Sequence, residues 1–213
     1  MKKNNSFLKI INLESVDSTN DYAVNLACDG FSEIVVVRAN TQTKGKGRRG
    51  NDWASPSNKG IYASFLLKPP NPLAEIVFLP IIFSLAISQT LGDAIVTAIK
   101  WPNDLMAGDK KIAGVLVEAK SLQEKVDFVI AGVGININSE KKELPECATS
   151  LYIETGKTYD IEDFFKAFTT KAINLYNDFK KGNIKTLLDK LDPDLKQETL
   201  NKSSNANEVM ILR

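Results

Sequence analysis

The chain has 213 residues, of which 43% are hydrophobic, and this is enough for one domain with a substantial core. Lys and Arg total 27 against 26 for Asp and Glu, so the net charge of +1 excludes the overall basic field of a non-specific nucleic-acid binder. Histidine is absent, which excludes Ser-His-Asp triads, histidine bases and the usual zinc ligand sets.

The first third of the chain combines strand signals with one helix. Clustered N-cap residues at 17–20 precede a helix that Gly30 can end. Prolines at 69–72 break the last of the strands. Alternating or β-branched apolar residues predict three strands here, at 7–16, 34–39 and 60–68.

The rest of the chain moves from strands to helices. A buried helix is predicted to begin near Pro80, because the apolar residues that follow are too continuous for a surface helix. A turn at 107–110 predicts a hairpin between the first two of three further strands, at 97–101, 111–119 and 126–137. Helical apolar spacing predicts helices at 161–179 and 184–191. Strands in front and helices behind predict an α+β fold class.

Neither the N-terminus nor the cysteines indicate export. The first residues lack a continuous apolar stretch and a small-residue cleavage site, and we expect no segment to approach the length of a membrane span. Cys28 and Cys147 are too few for a thiolate metal cage, and we interpret both as reduced structural residues. We therefore predict a cytoplasmic protein with no membrane partner.

A cationic loop, KGKGRRGNDW, occupies residues 44–53 and places four cations among three glycines. Turn-forming residues follow it instead of a helix, which excludes a Rossmann or P-loop assignment. Arg48 and Arg49 can hold phosphate or carboxylate oxygens in bidentate geometry, and the glycines let backbone N–H groups approach an anion. Trp53 can cover a ligand or anchor the base of the loop. The alternative is a solvated turn.

A second constellation follows the strand at 97–101. Lys100 ends that strand, Asn103 and Asp104 follow in a turn, and Lys111 comes seven residues after Asp104. A missing side chain at Gly114 would let a ligand approach the backbone. A carboxylate and two lysines beside an arginine loop suit nucleotidyl transfer. The alternative is an Asx-type turn with surface lysines.

Five motifs together resemble the catalytic domain of biotin protein ligases. They stand in that family's order and spacing: STN at 18–20, QTKGKGRRG at 42–50 with Trp53, KWPND at 100–104, KKIAGVLVE at 110–118 and GVGININ at 132–138. The resemblance covers roughly residues 7–191. It implies a mixed, mostly antiparallel sheet flanked by helices, related to class II aminoacyl-tRNA synthetases. It also implies a catalytic domain at 1–192 and a short tail at 193–213 in place of the family's C-terminal β-barrel.

The resemblance implies a two-step ligase. Biotin and ATP with Mg²⁺ would give biotinyl-5′-AMP and pyrophosphate, and a lysine of a biotin carboxyl carrier protein would then attack the mixed anhydride. The protein would act as a monomer or homodimer. Many bacterial relatives carry an N-terminal DNA-binding domain, but here the catalytic strand starts within the first dozen residues, so we expect no DNA partner.

Site residues are carried over motif by motif. The resemblance implies a biotin site made of Ser18, Thr19, Asn20, Gln42, Gly45, Lys46, Gly47, Arg48, Lys111, Gly114, Gly132 and Gly134. It implies a nucleotide site made of Arg48, Arg49, Trp53, Asn103 and Asn136. Its implied catalytic residues are Arg48, Lys111, Asp104 and Lys100, with Asp104 also the candidate metal ligand.

The cationic loop departs from the family's pattern at three positions. Many relatives carry Arg at the position of Lys46 and a basic pair where this chain has Asn51 and Asp52. Lysine keeps the charge but loses the planar fork, which predicts a weaker grip on phosphate. Two rival functions stay open: a lipoate ligase or lipoyl transferase of the same superfamily, and a non-catalytic nucleotide- or RNA-binding module.

Overall fold

A mixed eight-stranded sheet organises the described part of the chain. The computed structural model describes residues 8–30, 34–68, 73–122, 125–183, 189 and 210–212. The strands are β1 (Leu8–Val16), β2 (Ile34–Gln42), β3 (Gly60–Leu67), β4 (Ala98–Lys100), β5 (Asp104–Ala107), β6 (Lys110–Leu122), β7 (Lys125–Asn136) and β8 (Met210–Leu212). Their order is β1-β2-β3-β7-β6-β5-β4, with β8 beside β6. Only the β1/β2 and β6/β8 pairs are parallel, which confirms the predicted mixed, mostly antiparallel sheet.

Four α-helices flank the sheet in the described residues: α1 (Thr19–Cys28), α2 (Leu79–Leu91), α3 (Leu151–Thr155) and α4 (Ile161–Lys180). Helices α2 and α4 pack on one face and bury the larger core, whereas α1 covers a smaller apolar cluster on the other face. Because both faces are covered, every residue of β3 is buried. The predicted α+β architecture is therefore confirmed.

Local sequence chemistry accounts for where the helices begin. Ser18 caps α1 by accepting a hydrogen bond from the backbone N–H of Asp21 at 3.5 Å. Asp160 caps α4 in the same way through the N–H of Asp163 at 2.9 Å. Pro80 stands in the first turn of α2, where its missing N–H is not needed. These helices confirm the three predicted starts to within a few residues.

The principal differences between the structure and the prediction from sequence are short strands and helices. Strand β5 was not predicted, because it has only four residues and its pairing with β6 shifts register between Leu105 and Met106. The predicted hairpin turn therefore joins β5 to β6. Helix α3, also not predicted, is a five-residue element capped by Ser150 and ended by Gly156 at φ 71°. Strand β2 is three residues longer than predicted and ends at Gln42.

One helical stretch has the length and composition to cross a membrane, contrary to the expectation from sequence. Glu75–Ala94 has 20 residues, with a window of mean hydropathy 1.6. In the structure 67% of that window is buried, and α2 within it packs against α4 and β6. Packing inside a domain requires the same all-round apolar surface, so the core position of α2 accounts for this composition.

The C-terminal residues that the structure describes belong to the same sheet. Met210–Leu212 pairs in parallel with 118–120 of β6. The helix predicted at 184–191 lies outside the described residues except for position 189. The division between a domain ending at 192 and a separate tail stays a prediction.

Candidate active site

One cavity opens where the start of α1, the end of β2, the cationic loop and strands β6 and β7 meet. About 440 Å³ of space free of protein atoms lies in and in front of it, and part of this space is open solvent. It brings together thirteen of the predicted residues: Ser18, Thr19, Asn20, Gln42, Lys46, Gly47, Arg48, Trp53, Asn103, Lys111, Gly114, Gly132 and Gly134. Arg48 and Lys111, from two distant segments, thus line one cavity.

Five predicted residues do not line this cavity. Gly45 is buried, and a Cβ there would lie 2.9 Å from Ser55 Oγ, so the glycine lets the loop pack closely. Arg49 is exposed at φ 57°, and Lys100 is exposed on β4 opposite Asp104. Asp104 contacts the cavity indirectly, through Lys111.

Asn136, the fifth of these residues, is buried at the end of β7. Its Nδ2 donates to the carbonyl of Thr149 at 2.9 Å, so half of the amide has a structural role. Its Oδ1 is buried and has no hydrogen-bond partner within the described chain. An unpaired acceptor of this kind is costly unless a ligand or water satisfies it, which keeps the nucleotide prediction for Asn136 open.

Two cations that line the cavity, Arg48 and Lys111, are held by nearby acceptors. Lys111 Nζ lies 2.7 Å from Asp104 Oδ1, an ion pair whose angles fall outside those of a hydrogen bond. Arg48 Nη1 donates to Asn103 Oδ1 at 3.1 Å. Both side chains of the ion pair keep more than a quarter of their surface exposed, so an anionic ligand can reach them. Asn103 and Asp104 therefore hold the cations at the cavity until such a ligand arrives.

Neutral hydrogen-bonding groups also line the cavity. Gln42 Oε1 accepts from the backbone N–H of Thr19 at 2.9 Å and from its hydroxyl at 3.0 Å. Gln42 Nε2 donates to Ser55 Oγ at 3.0 Å. These bonds fix the orientation of the Gln42 amide at the end of β2. These groups suit a ligand head group that carries both N–H donors and a carbonyl acceptor.

The indole of Trp53 lies on a glycine platform formed by β6 and β7. A Cβ at Gly134 would lie 2.5 Å from Trp53 Nε1, and one at Gly114 would lie 3.1 Å from Trp53 Cζ3. Lys111 Nζ stands 5.1 Å from the centroid of the indole, within range of a cation–π contact. The resemblance implied that both glycines belong to the biotin site. In this structure Trp53 occupies the space over them, so a ligand there must stack on the indole or displace it.

The cationic loop is a small hairpin tied to α1. The N–H of Trp53 donates to the carbonyl of Gly45 at 2.8 Å, and the N–H of Gly47 donates to that of Asn51 at 2.7 Å. Two exposed ion pairs hold the outer side: Lys44 with Asp17 at 3.0 Å and Lys46 with Asp21 at 2.5 Å. Hydrogen bonds from Thr43 and then Lys44 lower the pKa of Asp17 below its ordinary value. The loop lysines are thus paired with acids, which reduces the repulsion within the loop.

Sequence analysis missed a polar cluster beneath the cavity. Asn20 Nδ2 donates to Glu118 Oε2 at 2.5 Å, and Ser64 Oγ lies 2.5 Å from Asn20 Oδ1. All three side chains are buried, and burial raises the pKa of Glu118, which the Asn20 hydrogen bond lowers in part. A Cβ at Gly132 would lie 2.8 Å from Asn20 Cγ, so this glycine accommodates the Asn20 amide. The available signal was a carboxylate and a hydroxyl inside otherwise apolar strands.

Comparisons with known proteins show which family the chain resembles. The model of the biotin/lipoate A/B protein ligase family matches residues 13–136. The "Bifunctional ligase/repressor BirA" of Bacillus subtilis is 35% identical over 151 residues, covering 68% of this chain and 46% of the relative. The "Biotin--[acetyl-CoA-carboxylase] ligase" of Paracoccus denitrificans is 34% identical over 161 residues, covering 71% of this chain and 66% of the relative.

A solved structure extends the similarity to three dimensions. The biotin protein ligase from Aquifex aeolicus, in complex with biotin and ATP, superposes with a TM-score of 0.67 at 35% sequence identity. The superposition covers 81% of this chain and 72% of that one. The chain spans about half the length of the BirA relatives it matches.

Proposed function

Since the chain belongs to the biotin/lipoate A/B protein ligase family, we propose that it joins biotin to a lysine of a biotin carboxyl carrier protein at the expense of ATP. The observation that carries the proposal is that one cavity is lined both by the cations Arg48 and Lys111 and by the hydrogen-bonding groups of Thr19 and Gln42. A cyclic urea head with a carboxylate tail has the matching polarity. The resemblance of the five motifs and the similar ligases support the same assignment.

The first step joins two anions, so it depends on positive charge. A biotin carboxylate oxygen attacks the α-phosphorus of ATP, and the bond from that phosphorus to the bridging oxygen breaks, with pyrophosphate leaving as an anion. Arg48 and Lys111 reduce the repulsion between carboxylate and phosphate and stabilise the charge on the phosphoryl oxygens. Lys111 has to exchange its contact with Asp104 for one with the substrates. Trp53 supplies a ring face for the nucleotide base, and the unpaired Oδ1 of Asn136 becomes an acceptor for the base if ligand entry uncovers it.

The second step transfers the acyl group to the carrier. The lysine amine attacks the carbonyl carbon of biotinyl-5′-AMP, AMP leaves with the bridging oxygen, and the amine loses one proton. An acceptor lysine is mostly protonated at neutral pH, with a reference pKa of about 10.4. Asp104, once Lys111 has turned to the substrates, is the carboxylate placed to orient that ammonium and take its proton.

Magnesium enters this proposal with the nucleotide. Within the described residues no three Cys, Asp or Glu side chains cluster as a metal site. Mg²⁺ commonly uses one or two carboxylates together with substrate phosphates, and Asp104 fits that limited role. The ion supplies charge neutralisation on the triphosphate, while Arg48 and Lys111 act at the α-phosphate.

The test is a mass measurement on the acceptor. The protein is incubated with biotin, MgATP and a biotin carboxyl carrier domain, and intact-mass spectrometry follows the carrier. We expect one biotinyl addition that requires both substrates and disappears when the acceptor lysine of the carrier is replaced by arginine. An unmodified carrier, together with no biotin-dependent exchange between ATP and pyrophosphate, overturns the proposal.

Variants then test whether adenylation requires the residues that line the cavity and not their neighbours in sequence. Arg48→Ala and Lys111→Ala are expected to slow adenylation by roughly 100-fold or more, the usual loss for a group that stabilises developing charge. Lys110→Ala, one residue away on β6 and outside the cavity, is the matched control and keeps its rate. Arg49→Ala is expected to have a smaller effect than Arg48→Ala, since Arg49 does not line the cavity. Wild-type rates in both cavity variants would show that the site is wrongly placed.

The rival functions have distinct outcomes in the same assays. A lipoate ligase would bind lipoate in preference to biotin in calorimetry, although lipoate offers no N–H group to Thr19 and Gln42. An RNA-binding module would show steeply salt-dependent RNA binding and no exchange between ATP and pyrophosphate. We expect neither result.

A further inference from the structure

Lys100 is a motif residue to which the proposed chemistry gives no role. It ends β4, is exposed and does not line the cavity. Its ammonium has no hydrogen-bond or ion-pair partner among the described residues. A free cation is ordinary on a protein surface, but this one lies directly opposite Asp104, the carboxylate proposed to receive the acceptor lysine.

One row of paired residues crosses the sheet from Lys100 to the cavity. Lys100 pairs with Asp104, and Asp104 pairs on its other side with Gly114. Gly114 pairs in turn with Gly134. Directly paired residues project from the same face of a sheet, so Lys100 and Asp104 share the face on which the two glycines carry Trp53. Neighbouring strands are about 4.8 Å apart, which places Lys100 about 10 Å from Gly114.

Strand β4 and the residues before it alternate between two environments. Thr97 Oγ1 lies 2.8 Å from a serine hydroxyl of α2, and Ile99 packs against the larger core. The residues on the opposite side of the chain, which we call the β4 strip, are Val96, Ala98 and Lys100. All three are exposed, and Val96 at 93% has the largest exposed fraction of the large apolar side chains in the described part of the chain.

The β4 strip borders the cavity on the side away from α1. Helix α1 packs against β2, β3 and β7, and its Asn20 lines the cavity. Strand β4 is the last strand at the other end of the sheet, and α2 covers only its opposite face. The cavity is therefore flanked by a helix on one side and by an exposed sheet face on the other.

A carrier domain that delivers a lysine to Asp104 has to cover the surface around this carboxylate. A specific interface buries about 800 Å² on each partner, which corresponds to a patch with a radius of about 16 Å. Lys100 lies one strand from Asp104, and Val96 lies about 13 Å from Lys100 along an extended chain. Both ends of the β4 strip are thus within the area that a docked carrier covers.

We propose that the β4 strip is the docking surface for the carrier domain, and that it fits a carrier whose acceptor lysine is bordered by a carboxylate and an apolar side chain. The carboxylate pairs with Lys100, and the apolar side chain packs on Val96. This inference rests on the proposed function and adds to it the surface that recognises the second substrate. It assigns Lys100, which the resemblance implied to be catalytic, to acceptor binding.

The test separates carrier docking from adenylate chemistry by changing the nucleophile. Hydroxylamine attacks the carbonyl carbon of biotinyl-5′-AMP to give the hydroxamate and AMP, and it needs no docking surface. In Val96→Asp we expect the KM for the carrier domain to rise about tenfold, as for the loss of one well-packed interface contact, with kcat unchanged. Hydroxamate formation and the exchange between ATP and pyrophosphate keep their wild-type rates. Thr170→Asp, which adds the same charge at an exposed position of α4, is the matched control and leaves the carrier KM unchanged.

Two further measurements examine each end of the β4 strip. The KM of the wild type for the carrier should rise with salt, because the ion pair of Lys100 is screened, and this dependence should be weaker in Lys100→Gln. Position 96 accepts a large side chain because it is 93% exposed, so p-benzoylphenylalanine there should cross-link to the carrier on irradiation. The same photoreactive residue at position 170 should not. Should Val96→Asp not fold, Val96→Ala is expected to raise the carrier KM about threefold.

The outcomes distinguish this inference from the proposed function. Wild-type protein without biotin-dependent exchange between ATP and pyrophosphate overturns the proposed function itself. Active wild-type protein with Val96→Asp at the wild-type carrier KM overturns the inference alone. Equal losses with hydroxylamine and with the carrier also overturn it, since position 96 would then serve the adenylate chemistry. A cross-link between two copies of the chain, without one to the carrier, overturns it in favour of a self-interface. A loss confined to the carrier, together with a cross-link from position 96 only, supports it.

Discussion

Alanine at Gly132 and alanine at Gly134 add the same methyl group to the same strand and face, yet the structure predicts different results. At Gly132 the new carbon would lie 2.8 Å from Asn20 Cγ and 2.9 Å from Asn20 Nδ2. At Gly134 it would lie 2.5 and 2.6 Å from Trp53 Nε1 and Cζ2. Asn20 is 5% exposed and held on two sides, whereas Trp53 is half-buried on a loop that can move.

The expected magnitudes follow from what each neighbour gives up. Displacing Asn20 breaks its bond to a carboxylate, worth about 1.5–3 kcal/mol, and its neutral bond to Ser64, worth about 1 kcal/mol. We therefore expect Gly132→Ala to destabilise by about 3 kcal/mol. In a protein of this size that lowers Tm by roughly 6–12 °C. Gly134→Ala displaces an indole with no hydrogen bond to lose among the described residues, so we expect about 1 kcal/mol or less.

Thermal and urea unfolding of the two variants measure this difference, and exchange between ATP and pyrophosphate measures the functional cost. We expect Gly134→Ala to retain its stability and to lose adenylation, because the displaced Trp53 ring is pushed into the cavity. Equal Tm changes in the two variants would refute the reasoning, as would a change of less than 3 °C in Gly132→Ala. Either result would mean that the Asn20 amide does not lie over Gly132.

Three more predictions concern stability. Burial raises the pKa of Glu118 and Asp21 raises it further, while the Asn20 hydrogen bond and Lys46 lower it in part. Because the folded pKa is raised, the stability that protonated Glu118 contributes is lost as pH rises through that pKa. The unfolding free energy of Glu118→Gln relative to wild type should therefore increase between pH 4 and pH 8, and a constant difference would contradict this. Phe168→Ala removes a fully buried ring 5.7 Å from that of Phe65 and should cost about 3–5 kcal/mol in urea unfolding; under 1 kcal/mol would mean the core is misplaced. Asp21→Asn breaks a half-exposed pair with Lys46 and should change stability by less than about 1 kcal/mol, and a larger loss would show that this pair is shielded from solvent.

The periodicity of apolar residues was sufficient to predict the long helices and strands but not the short ones. Helix α4 and strand β2 are buried where their apolar residues predicted, because packing against a core requires apolar residues at such a spacing. Strand β5 and helix α3 have four and five residues, fewer than a periodic pattern needs. Their positions depend on neighbours: β5 on its pairing with β4 and β6, and α3 on the Ser150 cap and Gly156.

The order and spacing of the motifs predicted that two cations of the candidate site would come together. Arg48 and Lys111 lie 63 positions apart in sequence (111 − 48) and line one cavity, as the resemblance implied. The indirect contacts could not be predicted in this way. The pairing of Lys111 with Asp104 and the bond between Asn20 and Glu118 depend on strand register and on the depth of burial, which a single sequence does not encode locally.

Trp53, which lies on the glycine platform, can also serve as an intrinsic fluorescent probe of the cavity. The chain has two tryptophans, so Trp101→Phe would leave Trp53, which lines the cavity, as the single tryptophan. With the ammonium of Lys111 5.1 Å from the ring centroid, indole fluorescence depends on where that charge sits. Ligand arrival, which moves the charge or the ring, can thus be followed in real time by stopped-flow emission without attaching a dye.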